Sequence, residues 1–144
     1  MSGIVCAIRG GPDSQATIAQ AIALAQQTDL PLHFLHVVNR DFLSRISSSR
    51  FHTILAQMRQ MGEFILSVAQ DSATQQGITA QGAVRHGNVR EEIINLCHEL
   101  PAEYLVLGQP DVQRHVSVFT QVLLTKFIAR TEKETGAKAV LSKG

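Results

Sequence analysis

The sequence predicts a doubly wound α/β fold, a five-stranded parallel sheet with helices on both faces, and three observations support that prediction. Five short apolar runs of strand length alternate with segments of helical periodicity along the chain. A helix-length crossover separates each strand from the next, which imposes parallel pairing and right-handed connections. The first run, Ile4-Val5-Cys6-Ala7-Ile8, is apolar at every position, as a strand covered on both faces must be.

That strand is closed by Arg9-Gly10-Gly11-Pro12. A helix follows, capped by Asp13 or Ser14, with Ile18, Ile22 and Ala25 at helical spacing and an end near Thr28-Asp29. Leu32 to Val38 is the second strand, entered through Pro31. From Asn39 to Ser49 the pattern lapses into a polar loop that holds Arg40, Arg45 and the triplet Ser47-Ser48-Ser49, with Arg50 just beyond. A long helix runs from about Arg50 to Gln76. Its apolar stripe is Phe51, Ile54, Leu55, Met58, Ile65, Val68, Ala69 and Ala73, with Gly62 a weak point inside it and Gly77 the stop. Ile78 to Val84 is a third strand, interrupted by Gln81 and Gly82 and therefore expected at a sheet edge. His86-Gly87-Asn88 is the turn after it. Asn88, with Glu91 three residues on, resembles a capping box for a helix whose inner face is Ile93, Ile94, Cys97 and Leu100, ended by Pro101. Tyr104 to Gly108 is the fourth strand and Gln109 to Val116 a polar loop. A helix from Ser117 to about Thr135 turns Phe119, Leu123, Phe127 and Ile128 inward, Gly136 stops it, and Ala137 to Ser142 is a short fifth strand.

Composition narrows the class. A chain of 144 residues, 44% hydrophobic and 17% charged, is the size and make-up of one globular domain spanning 1–144. A net charge of +1 supplies no field for nucleic acid or an anionic membrane, so neither is expected as a partner. No apolar run exceeds five residues and the N-terminus carries no basic-then-apolar leader, so a cytoplasmic location is expected. Cys6 and Cys97 lie inside a strand and a helix, without zinc-type spacing, and read as buried free thiols.

In open parallel sheets ligands bind beyond the carboxyl ends of the strands, which singles out Arg9–Asp13, Asn39–Ser49, Arg85–Asn88 and Gly108–Val116. A phosphorelay receiver would need an acceptor Asp after the third strand, where Arg85-His86 stands. A dinucleotide fingerprint and a phosphate loop ending in Gly-Lys-Ser or Gly-Lys-Thr are both absent, as is a nucleophile elbow. His33 and His36, three apart in one strand, point to opposite faces and cannot share a metal. His52 and His98 ride on helices. His86 and His115 fall on candidate ligand loops without a carboxylate at recognisable spacing. No catalytic residue and no metal site is assigned.

The first strand IVCAIRGG, the second strand LHFLHVV, the G-N-x-x-E-E-I turn into a helix and the strand AEYLVLG resemble, in order and spacing, the universal stress protein family from Ile4 to Leu141. The resemblance implies a Rossmann-like sheet in the order 3-2-1-4-5, a homodimer, a cytoplasmic stress-response role, and membership of one of two subclasses, ATP-binding or not. ATP-binding relatives carry G-x2-G-x9-G-S/T after the fourth strand, where glycine N–H groups cradle phosphates. Counted from Gly108, those positions hold Asp111, Gln121 and Val122, and a like-charge contact at Asp111 costs on the order of 1 kcal/mol. The acidic residue common at the end of the first strand is here Arg9.

The expectation is a non-enzymatic, dimeric regulatory or ligand-sensing protein, paired through its last strand, with no bound cofactor and with ATP or AMP disfavoured. The alternative is an adenine-nucleotide or small-anion binder using the same cleft with altered phosphate contacts, and a weak nucleotide hydrolase is a third reading. The candidate ligand cleft is Arg9, Gly10, Gly11, Val38, Gly87, Gly108 and Gln109. Arg9 with Gly10 and Gly11 before a helix start forms an anion-binding corner, against the plainer reading of a solvated arginine on a tight turn. Arg40, Arg45 and Arg50 among serines read as a phosphate or phosphorylation site or, more plainly, as a hydrated loop.

Overall fold

The computed structural model describes residues 3–10, 14–39, 48–108 and 118–142, without the side chains of 48, 49 and 118–121. Strands and helices alternate: β1 (Gly3–Ala7), α1 (Ser14–Thr28), β2 (Leu32–Asn39), α2 (Ser48–Gln75), β3 (Ala80–Gly87), α3 (Val89–Glu99), β4 (Ala102–Gly108), α4 (Val118–Thr135) and β5 (Lys138–Ser142). The sheet order is β3-β2-β1-β4-β5 with every pair parallel, which is the doubly wound arrangement expected, with β3 at an edge.

Strand alternation divides the core into two layers. Ile4 and Cys6 of β1, Leu32 and Phe34 of β2 and Val106 of β4 face α1 and α2, meeting Ile18, Ile22, Leu66 and Ala69. Val5, Leu35 and Leu105 face the other way, onto Ile93, Ile94 and Cys97 of α3 and Phe127 of α4. Ile4, Val5 and Cys6 are wholly buried, the reason every residue of that run is apolar. Both cysteines are free and buried. The change of helical layer falls between the β1–β2 and β1–β4 crossovers, so the switch point of the sheet lies at the carboxyl ends of β1 and β4.

Three details depart from the sequence reading. β3 begins at Ala80 rather than Ile78 and continues through Arg85 and His86 to Gly87, because the eight-residue β2 offers partners as far as Asn39. The sequence places His86-Gly87 in the turn, whereas Val38 pairs with His86 and Asn39 with Gly87. On α2, Val68 is 46% exposed and Leu66 takes the buried position. Steps of four, three and four from Gly62 reach Leu66, Ala69 and Ala73, while Val68 lies roughly 120° round the helix from that line.

Gly62 marks a close approach. A Cβ there would stand 2.7 Å from His36 Cδ2 and 3.3 Å from Val84 Cγ2, so α2 lies low on the sheet at this point. Gly82 plays the matching part on β3, where Gln70 of α2 comes within 2.9 Å of the same hypothetical carbon and its Nε2 donates to the Ala80 carbonyl. Two ion-pair groups fasten the other layer. Arg130 of α4 reaches Glu91 of α3 at 2.7 Å, and Arg85 of β3 reaches Glu99 at 2.7 Å and Glu92 at 3.7 Å. At the far end of the sheet the buried hydroxyls of Thr17 and Ser142 are hydrogen-bonded at 2.7 Å, joining α1 to the tip of β5.

Candidate functional site

A cleft opens at the carboxyl ends of β1, β2 and β4, on the side covered by α3 and α4, with a volume of about 390 Å³. Its walls are mostly apolar, Ala7 of β1, Leu35 and Val37 of β2, Leu107 of β4, Ile93 of α3 and Phe127 of α4, with His36 of β2 the polar exception among the described wall residues. The apolar strand residues are those that alternation turns toward the α3/α4 layer, continued upward past the point where the two helices diverge. The size is within the range of small-molecule sites, about 300–1,000 Å³.

Among the described residues, charge enters only at the mouth. Arg9, just past β1, and Arg90, in the first turn of α3, both line the cleft. Neither guanidinium has a carboxylate partner among the described residues, in contrast to Arg85 and Arg130, which are held by glutamates. α3 also presents its N-terminal end here. Asn88 caps it by accepting the Glu91 N–H at 3.1 Å, which leaves the N–H groups of Val89 and Arg90 without intrahelical acceptors. The acidic residues of this first turn are occupied by other partners: Glu91 by Arg130 and Glu92 by Arg85. The mouth is therefore a cationic rim above an apolar pocket.

Of the residues singled out from the sequence, Arg9 and Gly108 line the cleft together. A Cβ on Gly108 would stand 2.9 Å from Thr17 Oγ1, so the strand end is glycine because α1 packs directly behind it. Gly10, at φ +91°, sits next to Arg9 but faces α2, where a Cβ would strike Ile65 Cδ1 at 2.6 Å. Its N–H already donates to Ser14 Oγ at 3.0 Å, which removes one donor from the expected anion corner. Val38 is 1% exposed and points into the α1/α2 layer, and Gly87 ends β3 beside Glu92. Gly11, Gln109, Asp111, His115, Arg40 and Arg45 lie outside the described residues, and Val122 is exposed on α4.

Of the remaining reactive groups, His36 also lines the cleft and the others sit elsewhere. His36 faces α2 and its Nδ1 lies 2.9 Å from the Ile8 carbonyl; since a carbonyl only accepts, Nδ1 carries the proton. His33 faces the other layer, and burial lowers its pKa. His86, on the α2 side by strand alternation, has a buried Nε2 with no hydrogen-bond partner among the described residues. Burial pushes both thiols up, Cys97 to about 12 and Cys6 further, so neither is a thiolate at neutral pH. Arg90 escaped the sequence reading because it stands inside the capping segment. The available signal was its place at the start of the helix that crosses over the switch point.

A family model for universal stress proteins matches residues 1–120. The chain belongs to the universal stress protein family. Among solved structures, UspA from Lactobacillus plantarum superposes with a TM-score of 0.73 at 14% identity, covering 99% of this chain and 97% of that one. A universal stress protein in complex with cAMP gives 0.65 at 17% identity, with 99% and 97% covered. The Archaeoglobus fulgidus universal stress protein in complex with dAMP gives 0.58 at 15%, with 99% and 98% covered. At such identities these similarities establish a shared fold. No curated protein sequence matches at a significant level. Among the described residues, no helix of this family member is long and apolar enough to cross a membrane.

Proposed function

We propose that this universal stress protein is a non-enzymatic, cytoplasmic ligand sensor whose cleft takes a small molecule with an apolar ring system and one anionic group, an adenine mononucleotide being the class to test first. The observation that carries the reading is the pairing of a largely apolar pocket of about 390 Å³ with two arginines at its mouth that have no carboxylate partner among the described residues. The ring would lie between Val37, Leu107 and Phe127, and the anion would meet Arg9, Arg90 and the N-terminal N–H groups of α3. Relatives of the same fold were solved with cAMP and dAMP, each carrying a single phosphate. The sequence has Asp111, Gln121 and Val122 where ATP-binding relatives carry glycines and a hydroxyl, which argues against a triphosphate. Two buried, protonated thiols support a binding rather than a catalytic role. The homodimer implied by the family resemblance would use the open side of β5, a sheet-edge strand.

The test is native mass spectrometry of freshly purified protein followed by calorimetric titration with AMP, cAMP, ADP and ATP. AMP or cAMP is expected to bind more tightly than ATP. Arg9→Ala and Arg90→Ala should each weaken binding about 10-fold to 100-fold, the loss of one charge-assisted contact. Absence of heat with every nucleotide, or unchanged affinity in both variants, would refute the reading. Release of product from any of them would restore the enzymatic alternative.

A further inference from the structure

The outer face of α1 and α2, away from the cleft, has a composition unlike the rest of the molecule. Met61 and Phe64 on α2 are 65% and 69% exposed, and with Val68 they form a line at i, i+3 and i+7. Beside this ridge a groove of about 540 Å³ runs between the two helices, floored by Ile18 and Ile22, and none of its ten lining residues is charged. α1 carries no charged residue in its 15 positions, although at 17% charged the chain average would give it about two or three. Its outward positions are alanines and glutamines, with Ala19 and Ala23 on the groove side. Asp71, seven residues beyond Phe64, marks the rim.

We propose that this face is a self-association surface whose occupant is a second copy of the chain, related by a two-fold axis. In an isologous contact each patch meets itself, so a ridge beside a groove is self-complementary: the ridge of one copy enters the groove of the other, and the reverse. Ala19 and Ala23 leave the groove shallow enough for Phe64 of the facing copy to seat over the α1 backbone. Glutamine amides both donate and accept, so Gln15, Gln26, Gln75 and Gln76 at the groove can pair with their own kind, where carboxylates or ammonium groups would repel. A charged partner finds no countercharge among the groove residues, and of the Lys and Arg rim that a membrane-binding helix face uses, the described residues of α1 and α2 supply only Arg50 and Arg59, both outside the groove lining. α1 meets β5 through Thr17, but the groove lies on the side of α1 that faces α2, and α2 covers β2 and β3 at the opposite edge from β5, so this contact and pairing through β5 do not compete.

The area sets the strength. α1 is about 22 Å long and two adjacent helices are about 20 Å wide, a footprint of roughly 450 Å². That is below the roughly 800 Å² per partner of stable complexes, so the association is weak and concentration-dependent.

Sedimentation velocity over a concentration series into the hundreds of micromolar, in parallel with Phe64→Glu, tests the proposal. Phe64 is on the surface, so the variant should keep the wild-type far-ultraviolet circular dichroism and melting temperature. The wild type is expected to reach at least twice the mass of Phe64→Glu at the highest concentration. Val68→Cys maps the contact independently: Cys6 and Cys97 are buried, so the new thiol is the accessible one, and mild oxidation should give a disulfide-linked pair. Lys126→Cys on α4 is the control that should stay unlinked. Equal masses for wild type and Phe64→Glu, as expected if the groove serves a different protein, would overturn the proposal. So would linking of Lys126→Cys as efficient as that of Val68→Cys.

Discussion

Replacing Gly62 by alanine pits two effects against each other. In an exposed helix the change stabilises by about 1 kcal/mol, through lost freedom in the unfolded chain. Here the new methyl would stand 2.7 Å from His36 Cδ2, roughly 0.8 Å inside the ~3.5 Å carbon contact distance. The imidazole cannot swing away without cost, because its Nδ1–H is bound to the Ile8 carbonyl at 2.9 Å. Either α2 lifts off the sheet, an overpacking cost of about 1–3 kcal/mol, or that hydrogen bond breaks and leaves a carbonyl unpaired at a similar cost. The net expectation is a loss of up to about 2 kcal/mol, at about 3 °C in melting temperature per kcal/mol for a chain of this length. The assay is thermal and urea denaturation of Gly62→Ala, His36→Ala and the double variant. In the His36→Ala background the same glycine replacement should stabilise by about 1 kcal/mol. A higher melting temperature for Gly62→Ala alone, or the same change in both backgrounds, would refute the close-approach argument.

Asn88→Ala removes the side-chain acceptor of the Glu91 N–H and should cost about 1 kcal/mol, read as a fall in urea midpoint without a change in slope. Arg130 and Arg85 hold the carboxyls of Glu91 and Glu99 below their ordinary 4.5. In that window the unfolded chain binds more protons, so the contribution of these pairs is complete above about pH 4.5 and is lost as pH falls through the lower folded values. Thermal melts between about pH 3 and pH 6 should show this decline, and a double Glu91→Gln, Glu99→Gln variant should flatten it. Both native thiols should resist an aromatic disulfide reagent at pH 8, and both should react at once in denaturant.

The alternation of elements was legible because each strand is a compact apolar run and each helix has a turn or cap residue where it ends. β1 is the clearest case: five apolar residues in succession admit no other place than the middle of the sheet. What resisted reading depends on facing elements. Gly62 looks like a flaw in a helix until His36 is placed opposite it. Val68 and Leu66 are equally apolar, and only the rotation of α2 on the sheet decides which is buried. The end of β3 is set by the length of β2, not by its own residues. Thr17, Thr131 and Ser142 read as surface residues by type, yet all are buried, each with its hydroxyl hydrogen-bonded. At the cleft, Arg9 and Gly108 followed from the rule that ligands gather at strand ends. Arg90 belongs to the next helix, and Phe127 reads as core alone, so neither could be assigned before the two layers were assembled.

The Thr17–Ser142 hydroxyl pair spans 125 positions of the chain. During synthesis, at about 5–20 residues per second, α1 is made long before Ser142 exists. Until then the growing sheet ends at β4, with a row of unpaired backbone groups where β5 will lie and a threonine hydroxyl waiting in the α1 interface without its partner. A polypeptide cut before Lys138 keeps both defects permanently, an open edge suited to aggregation and an orphaned polar group in the first helix layer. The stitch thus acts as a completeness check: the beginning of the chain reaches its final packing only when the last strand has arrived.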